Sequence, residues 1–166
     1  MWSDGSSYRI LKMKQSWAPT ETVIVEARVS ALTQSMWHSL FLADYSDPDK
    51  QRLGIRDRNS ASWVCQQNVS GTYSHPKELG PIIFGDWYIQ KVTKASPTKL
   101  AVAVYDDDRY LVGDYNANEP DWSSTTWAWV CWEQLEAHSK YDWILTRKYA
   151  PFEPTVSIGD QQEVGE

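Results

Sequence analysis

The side chains of this 166-residue chain that could do chemistry are scattered carboxylates, three histidines and an unusual number of indoles. A retaining glycosidase needs two carboxyl groups a short distance apart across one cleft. Glu26 sits in a strand-like run but has no carboxylate two to four positions away. His38, His75 and His138 are dispersed and form no H-E-x-x-H pair. There is no G-x-S-x-G nucleophile elbow and no phosphate-cradling P-loop. The expectation leans to a non-catalytic protein, with a spatial meeting of Asp44, Asp142 and a histidine left open. Calcium takes several oxygen ligands from flexible loops. The loop DYSDPDK supplies Asp44, Asp47 and Asp49, and Asp106 to Asp108 form a second acidic run; neither matches an EF-hand loop.

The indoles carry a different chemistry. Ten tryptophans and nine tyrosines stand against three phenylalanines, a bias towards rings with a polar handle. In TTWAWVCWE, alternation puts Trp127, Trp129 and Cys131 on one face, and in ASWVCQQ it puts Trp63 with Cys65. With Val64, Ala128 and Val130 turned inward as core residues, Trp63, Trp127 and Trp129 face solvent and line an open sheet face. Each pyranose ring has a C–H patch that packs on an indole and edge hydroxyls that need polar partners. Arg56, Asp57, Gln66 and His38 are the candidates for those partners. The competing reading is that these tryptophans are core residues, as is assumed for Trp17, Trp87, Trp132 and Trp143. The same parity leaves Cys65 and Cys131 either as two buried thiols or, on one sheet face within reach, as a disulfide in an oxidising compartment. Asn68-Val69-Ser70 is an N-glycosylation sequon.

The elements that must position these residues are strands. Period-two alternation dominates, predicting strands over Thr22–Ser30, Ser35–Tyr45, Gln51–Asp57, Ala61–Gln67, Ile82–Lys94, Lys99–Tyr105, Tyr110–Tyr115, Thr125–Glu133, Tyr141–Tyr149 and Thr155–Gly159. The breaks between them carry Pro, Asp, Asn and Gly. The one helix candidate, Glu133–Lys140, is too short and polar to exceed a turn. Short strands at this spacing predict a single all-β sandwich over 1–160, followed by an acidic tail over 161–166. Net charge is −6 and no basic stripe is present, so nucleic acid is not an expected partner. No stretch is long and apolar enough to span a bilayer as a helix. The opening MWSDGSSYRI does not read as a signal peptide; an extracellular setting implies one trimmed away.

Two segments carry a resemblance to a known group. Asp86–Tyr115 and Tyr141–Asp160 resemble laminin-G-like and laminarinase-like jelly rolls of the concanavalin A-like lectin/glucanase superfamily, including a module recurrent in secreted archaeal and bacterial proteins. The resemblance implies a two-sheet antiparallel jelly roll whose concave face holds a glycan chain, and in some relatives a structural calcium. Laminarinase-like relatives carry Glu-x-Asp-x-x-Glu; Glu119-Pro120-Asp121 is followed by Ser124 where the second glutamate belongs. The expected function is a lectin-like, carbohydrate-binding module of a larger secreted or surface protein. It requires no cofactor beyond a possible Ca²⁺ and binds polysaccharide through the tryptophan face. The alternatives are an adhesion domain or a divergent glycoside hydrolase.

Overall fold

The computed structural model describes residues 8–32, 38–58, 61–134 and 139–149. Eleven strands occupy them: β1 (Tyr8–Lys12), β2 (Val23–Ala31), β3 (His38–Asp44), β4 (Arg52–Arg58), β5 (Ser62–Val69), β6 (Thr72–Pro81), β7 (Trp87–Lys94), β8 (Lys99–Asp106), β9 (Leu111–Asn118), β10 (Trp127–Gln134) and β11 (Ser139–Arg147). A single 3-10 turn, Pro120–Trp122, leads into β10. Two antiparallel sheets result, ordered β1-β10-β3-β4-β5-β6 and β11-β2-β7-β8-β9. This is the expected all-β jelly-roll sandwich.

Alternation explains the core. In β2, Val23, Val25, Ala27, Val29 and Ala31 point to the interior, and Tyr88, Val92, Leu100, Val102 and Val104 continue that face on β7 and β8. The six-stranded sheet answers with Leu40, Leu42, Leu53, Ile55, Trp63, Cys65 and Trp127. Each fully buried aliphatic side chain contributes about 1.5–3 kcal/mol of hydrophobic stabilisation. Phe41, Ala43 and Val130 form a second, smaller cluster on the outer face of the six-stranded sheet. Gly54 lies opposite Phe41 on β4, and a Cβ there would overlap Leu40 O and Phe41 Cδ1.

The strand parity is the reverse of the expected one. Trp63 and Trp127 are fully buried in the main core, and Trp129 packs against the same cluster. Trp127 meets Trp122 edge-on with centroids 5.8 Å apart, and Trp63 meets Tyr88 at 5.4 Å. Val130 is the residue that faces outward. Stacked sheets lie about 10 Å apart and that gap must be filled from both sides, which favours the large rings over the small aliphatics. An open indole platform is therefore not formed.

The disulfide expectation fails for a related reason. Register runs Cys131–Leu40–Ile55–Cys65 across β10, β3, β4 and β5. Three strand steps of about 4.8 Å put the two Cα atoms roughly 14 Å apart, and a disulfide tolerates at most about 7 Å. Both thiols are buried and no disulfide joins them. Trp17 packs on the core margin. Trp87 stands outside the core under the Arg28 guanidinium, 4.4 Å from its ring centre, and Trp143 is half-buried in register with Arg28. The side chain of Trp132 lies outside the described residues.

Two strands were not expected. β6 contains Pro76 and Pro81 and is exposed from Thr72 to Glu78, which an edge strand tolerates. β1 pairs with β10 from the opposite edge. Of the helix candidate Glu133–Lys140, Glu133 and Gln134 belong to β10 and Ser139 and Lys140 to β11. Its remaining residues, the Thr155–Gly159 strand and the acidic tail lie outside the described residues.

Candidate functional site

The outer face of the six-stranded sheet carries the densest set of polar side chains held away from bulk water. Residues two apart on a strand share a face. Thus β4 presents Arg52, Gly54 and Arg56 there, and β5 presents Ser62, Val64, Gln66 and Asn68. The register sets Arg52 opposite Asn68, Gly54 opposite Gln66 and Arg56 opposite Val64. On the next strand Tyr73 stands opposite Asn68 and Glu78 opposite Val64. Arg52, Arg56, Ser62, Gln66 and Asn68 are all buried.

Local interactions fix this face. The Arg52 guanidinium lies between two rings, 4.9 Å from the centre of Phe41 and 4.6 Å from that of Tyr73. Its Nη1 donates to Asp49 Oδ1 at 3.1 Å, and the Tyr73 hydroxyl donates to the same oxygen at 2.6 Å. Asn68 Nδ2 donates to the Asp49 carbonyl. Burial lowers the pKa of Arg52, opposed by Tyr73 and Asp49. Burial, then the bond to Asp49, raises that of the Tyr73 phenol. Arg56 Nε donates to Asp57 O at 3.1 Å, and Ser62 Oγ donates to Glu78 Oε1 at 2.6 Å. Gln66 makes no side-chain hydrogen bond among the described residues. The polar row itself is almost wholly buried, and the part of the face that meets solvent is its β6 margin, where Tyr73, Asp49 and Glu78 are exposed.

Arg56 and Gln66 of the expected polar set meet on this face, while Trp63, Trp127 and Trp129 lie on the opposite one. Asp57 takes the other parity from Arg56 and is buried, so it does not join them. The side chain of His38 lies outside the described residues. Arg52 and Tyr73 were missed. The R-x-G-x-R spacing of 52, 54 and 56 was a usable signal, because it places both arginines on one face. Tyr73 had none, since its proline-containing strand does not alternate.

The acidic loop is occupied with its own turns. Asp44 Oδ1 accepts from Ser46 N, Ser46 Oγ and Asp47 N, and Asp47 Oδ1 accepts from Asp49 N. Asp49 serves Arg52 and Tyr73. Among the described residues no three His, Cys, Asp or Glu side chains gather as a metal-binding group. The three carboxylates therefore do not form the calcium ligand set expected of them. The glycosylation expectation also fails: Asn68 is fully buried in β5. Glu26, the isolated strand carboxylate, faces Arg147 at 3.3 Å and Lys91 at 3.8 Å on the five-stranded sheet.

Two clefts lie elsewhere. One, about 430 Å³, is lined by Trp17, Glu21, Thr22 and Arg147. The other, about 500 Å³, is lined by Ile83, Trp87, Tyr88 and the Asp106–Asp108 turn. Asp107 in that turn is engaged by Arg28, which also pairs with Asp142. The hydrogen bond from Arg28 holds the Asp107 carboxyl below its ordinary pKa.

No family model matches the sequence, and no curated protein matches it. Solved structures do match. A carbohydrate-binding module, CBM66 from Bacillus subtilis, superposes with a TM-score of 0.61 at 15% identity, covering 89% of this chain and 84% of that one. A family 7 alginate lyase in complex with substrate gives a TM-score of 0.62 at 14% identity, covering 93% and 75%. CG-16, a homodimeric agglutinin from chicken liver, gives 0.53 at 13% identity, covering 84% and 99%. The fold is that of the concanavalin A-like superfamily. At these identities the likeness establishes the concanavalin A-like architecture alone, and that architecture hosts both binding modules and enzymes. No helix among the described residues is long and apolar enough to cross a membrane.

Proposed function

We propose that this concanavalin A-like domain is a non-catalytic carbohydrate-binding module. In this reading it engages glycan along the β5–β6 margin of the six-stranded sheet's outer face, with the exposed Asp49 and Glu78 carboxylates as polar contacts in place of the expected indoles. The observation that carries the reading is the solvent-exposed margin of this face, where the Tyr73 ring and the Asp49 and Glu78 carboxylates lie beside the buried polar row of β4 and β5. The shared fold with a carbohydrate-binding module and an agglutinin supports the same reading. The two carboxylates at this face, Asp49 beside Asn68 and Glu78 opposite Val64, stand four residues apart along β5, roughly 13 Å, wider than a hydrolase pair, which favours binding over hydrolysis. An extracellular or surface setting and attachment to a larger protein follow as part of the proposal.

Glycan-array screening followed by calorimetry tests it. Micromolar to millimolar binding to at least one polysaccharide class is expected, weakened several-fold by Glu78→Ala with the melting temperature retained. No turnover is expected across a polysaccharide panel. Absence of binding to every glycan would overturn the function, and clear turnover would overturn its non-catalytic character.

A second reading has its own observation. Ile83, Tyr110 and Leu111 are 62%, 72% and 57% exposed near the β8–β9 hairpin and the 500 Å³ cleft. Exposed apolar residues of this size suit a protein contact, as in an adhesion domain. Gel filtration over a concentration series separates the two, since self-association lost on Tyr110→Ser supports adhesion.

A further inference from the structure

We infer that Tyr73 is the aromatic platform on which a pyranose ring stacks, so that the edge strand β6 supplies what the buried tryptophans do not. The inference rests on the glycan-binding reading and identifies the stacking residue of that same face.

Tyr73 is 47% exposed, yet its ring is fixed on two sides. The guanidinium of Arg52 covers one face at 4.6 Å, and the hydroxyl is tied to Asp49 Oδ1 at 2.6 Å. Arg52 is in turn backed by Phe41 and bonded to Asp49. An aromatic ring already ordered by its own neighbours loses little freedom when a ligand lands on it. The solvent-exposed part of the ring is suited to the C–H patch of a hexopyranose. Tyr73 and Asn68 are adjacent across one strand spacing of about 4.8 Å, and Gln66 is two residues, roughly 6.8 Å, further along β5. This row is buried, and a ring stacked on Tyr73 presents its edge hydroxyls instead to the exposed Asp49 carboxylate beside the Tyr73 hydroxyl.

The other exposed tyrosines lack this combination. Tyr45 has Lys12 Nζ 4.1 Å from its ring centre and its hydroxyl on Lys14 O, away from the β4–β5 row. Tyr110 is 72% exposed in the β8–β9 hairpin, and no side-chain bond holds it among the described residues.

The test uses the full chain with Tyr73→Ala, Tyr73→Phe and Tyr110→Ala, titrated with the best glycan found for the unaltered protein. Tyr73→Ala is expected to bind about tenfold more weakly, Tyr73→Phe to remain within about threefold, and Tyr110→Ala to be unchanged. Sugar C–H protons shifted upfield by the Tyr73 ring current in the unaltered protein, and unshifted in Tyr73→Ala, give a readout independent of affinity. If Tyr73→Ala folds poorly, the same upfield shifts in Tyr73→Phe decide. Binding unchanged in Tyr73→Ala, or no upfield shifts in a protein that binds, overturns the platform and leaves the glycan-binding function standing. A protein that binds no glycan overturns both.

Discussion

Replacing Gln90 by methionine is expected to stabilise the protein. Gln90 lies on the interior face of β7, in register with Ala27 on one side and Val104 on the other, both core residues. It is fully buried, and neither its amide oxygen nor its nitrogen has a hydrogen-bond partner among the described residues. A buried polar group left unsatisfied costs about 1–3 kcal/mol. Methionine keeps the unbranched shape and removes both polar atoms, so a gain of about 2 kcal/mol is expected. For a domain of this size each kcal/mol moves the melting temperature by about 2–4 °C, giving a rise of about 4–8 °C. The assay is urea unfolding followed by tryptophan fluorescence, with calorimetric melting alongside. The urea midpoint should rise with an unchanged slope, which marks a change in stability rather than in the extent of unfolding. A fall in midpoint would refute the reasoning, because it would mean that the amide is satisfied in the folded protein, for example by an internal water.

Other substitutions probe the same architecture. Gly54→Ala places a Cβ against Leu40 O and Phe41, and should cost about 1–3 kcal/mol by displacing Phe41; an unchanged melting temperature would contradict that packing. Trp127→Phe should cost about 2 kcal/mol, from lost core volume, while leaving glycan affinity of the folded protein unaltered; a selective loss of affinity would restore the indole platform. Burial pushes the Cys65 thiol up to about 12 from its ordinary 9.0. Because the folded value is the raised one, its contribution to stability is intact below pH 9.0 and is lost as pH climbs from there through about 12. Cys65 should accordingly resist a thiol reagent near pH 8 until urea unfolds the chain; rapid native-state labelling would show the site to be open.

The strands of the core were legible in the sequence because small and branched apolar residues recur with period two in TVIVEARVS, KLAVAVY and TTWAWVCWE, and that alternation has no helical solution. Composition and turn chemistry then leave a sandwich as the way to bury one face of each strand. The parity was not legible in the strands that mattered most. In β5 and β10 apolar residues stand side by side on opposite faces, Trp63 next to Val64 and Trp127 next to Ala128, so alternation alone admits two assignments that differ by one residue. Only the packing of the second sheet selects between them. A gap of about 10 Å accepts the indoles, and the small residues are left for the outer face. The same choice carried Cys65 and Cys131 to one face but three strand steps apart, a separation that depends on the order β10-β3-β4-β5 and leaves no trace in the spacing of the two residues. Tyr73 gains its setting in the same way: an edge strand without alternation acquires a fixed aromatic ring because Arg52, from a strand two places away, is held beneath it by Phe41 and Asp49.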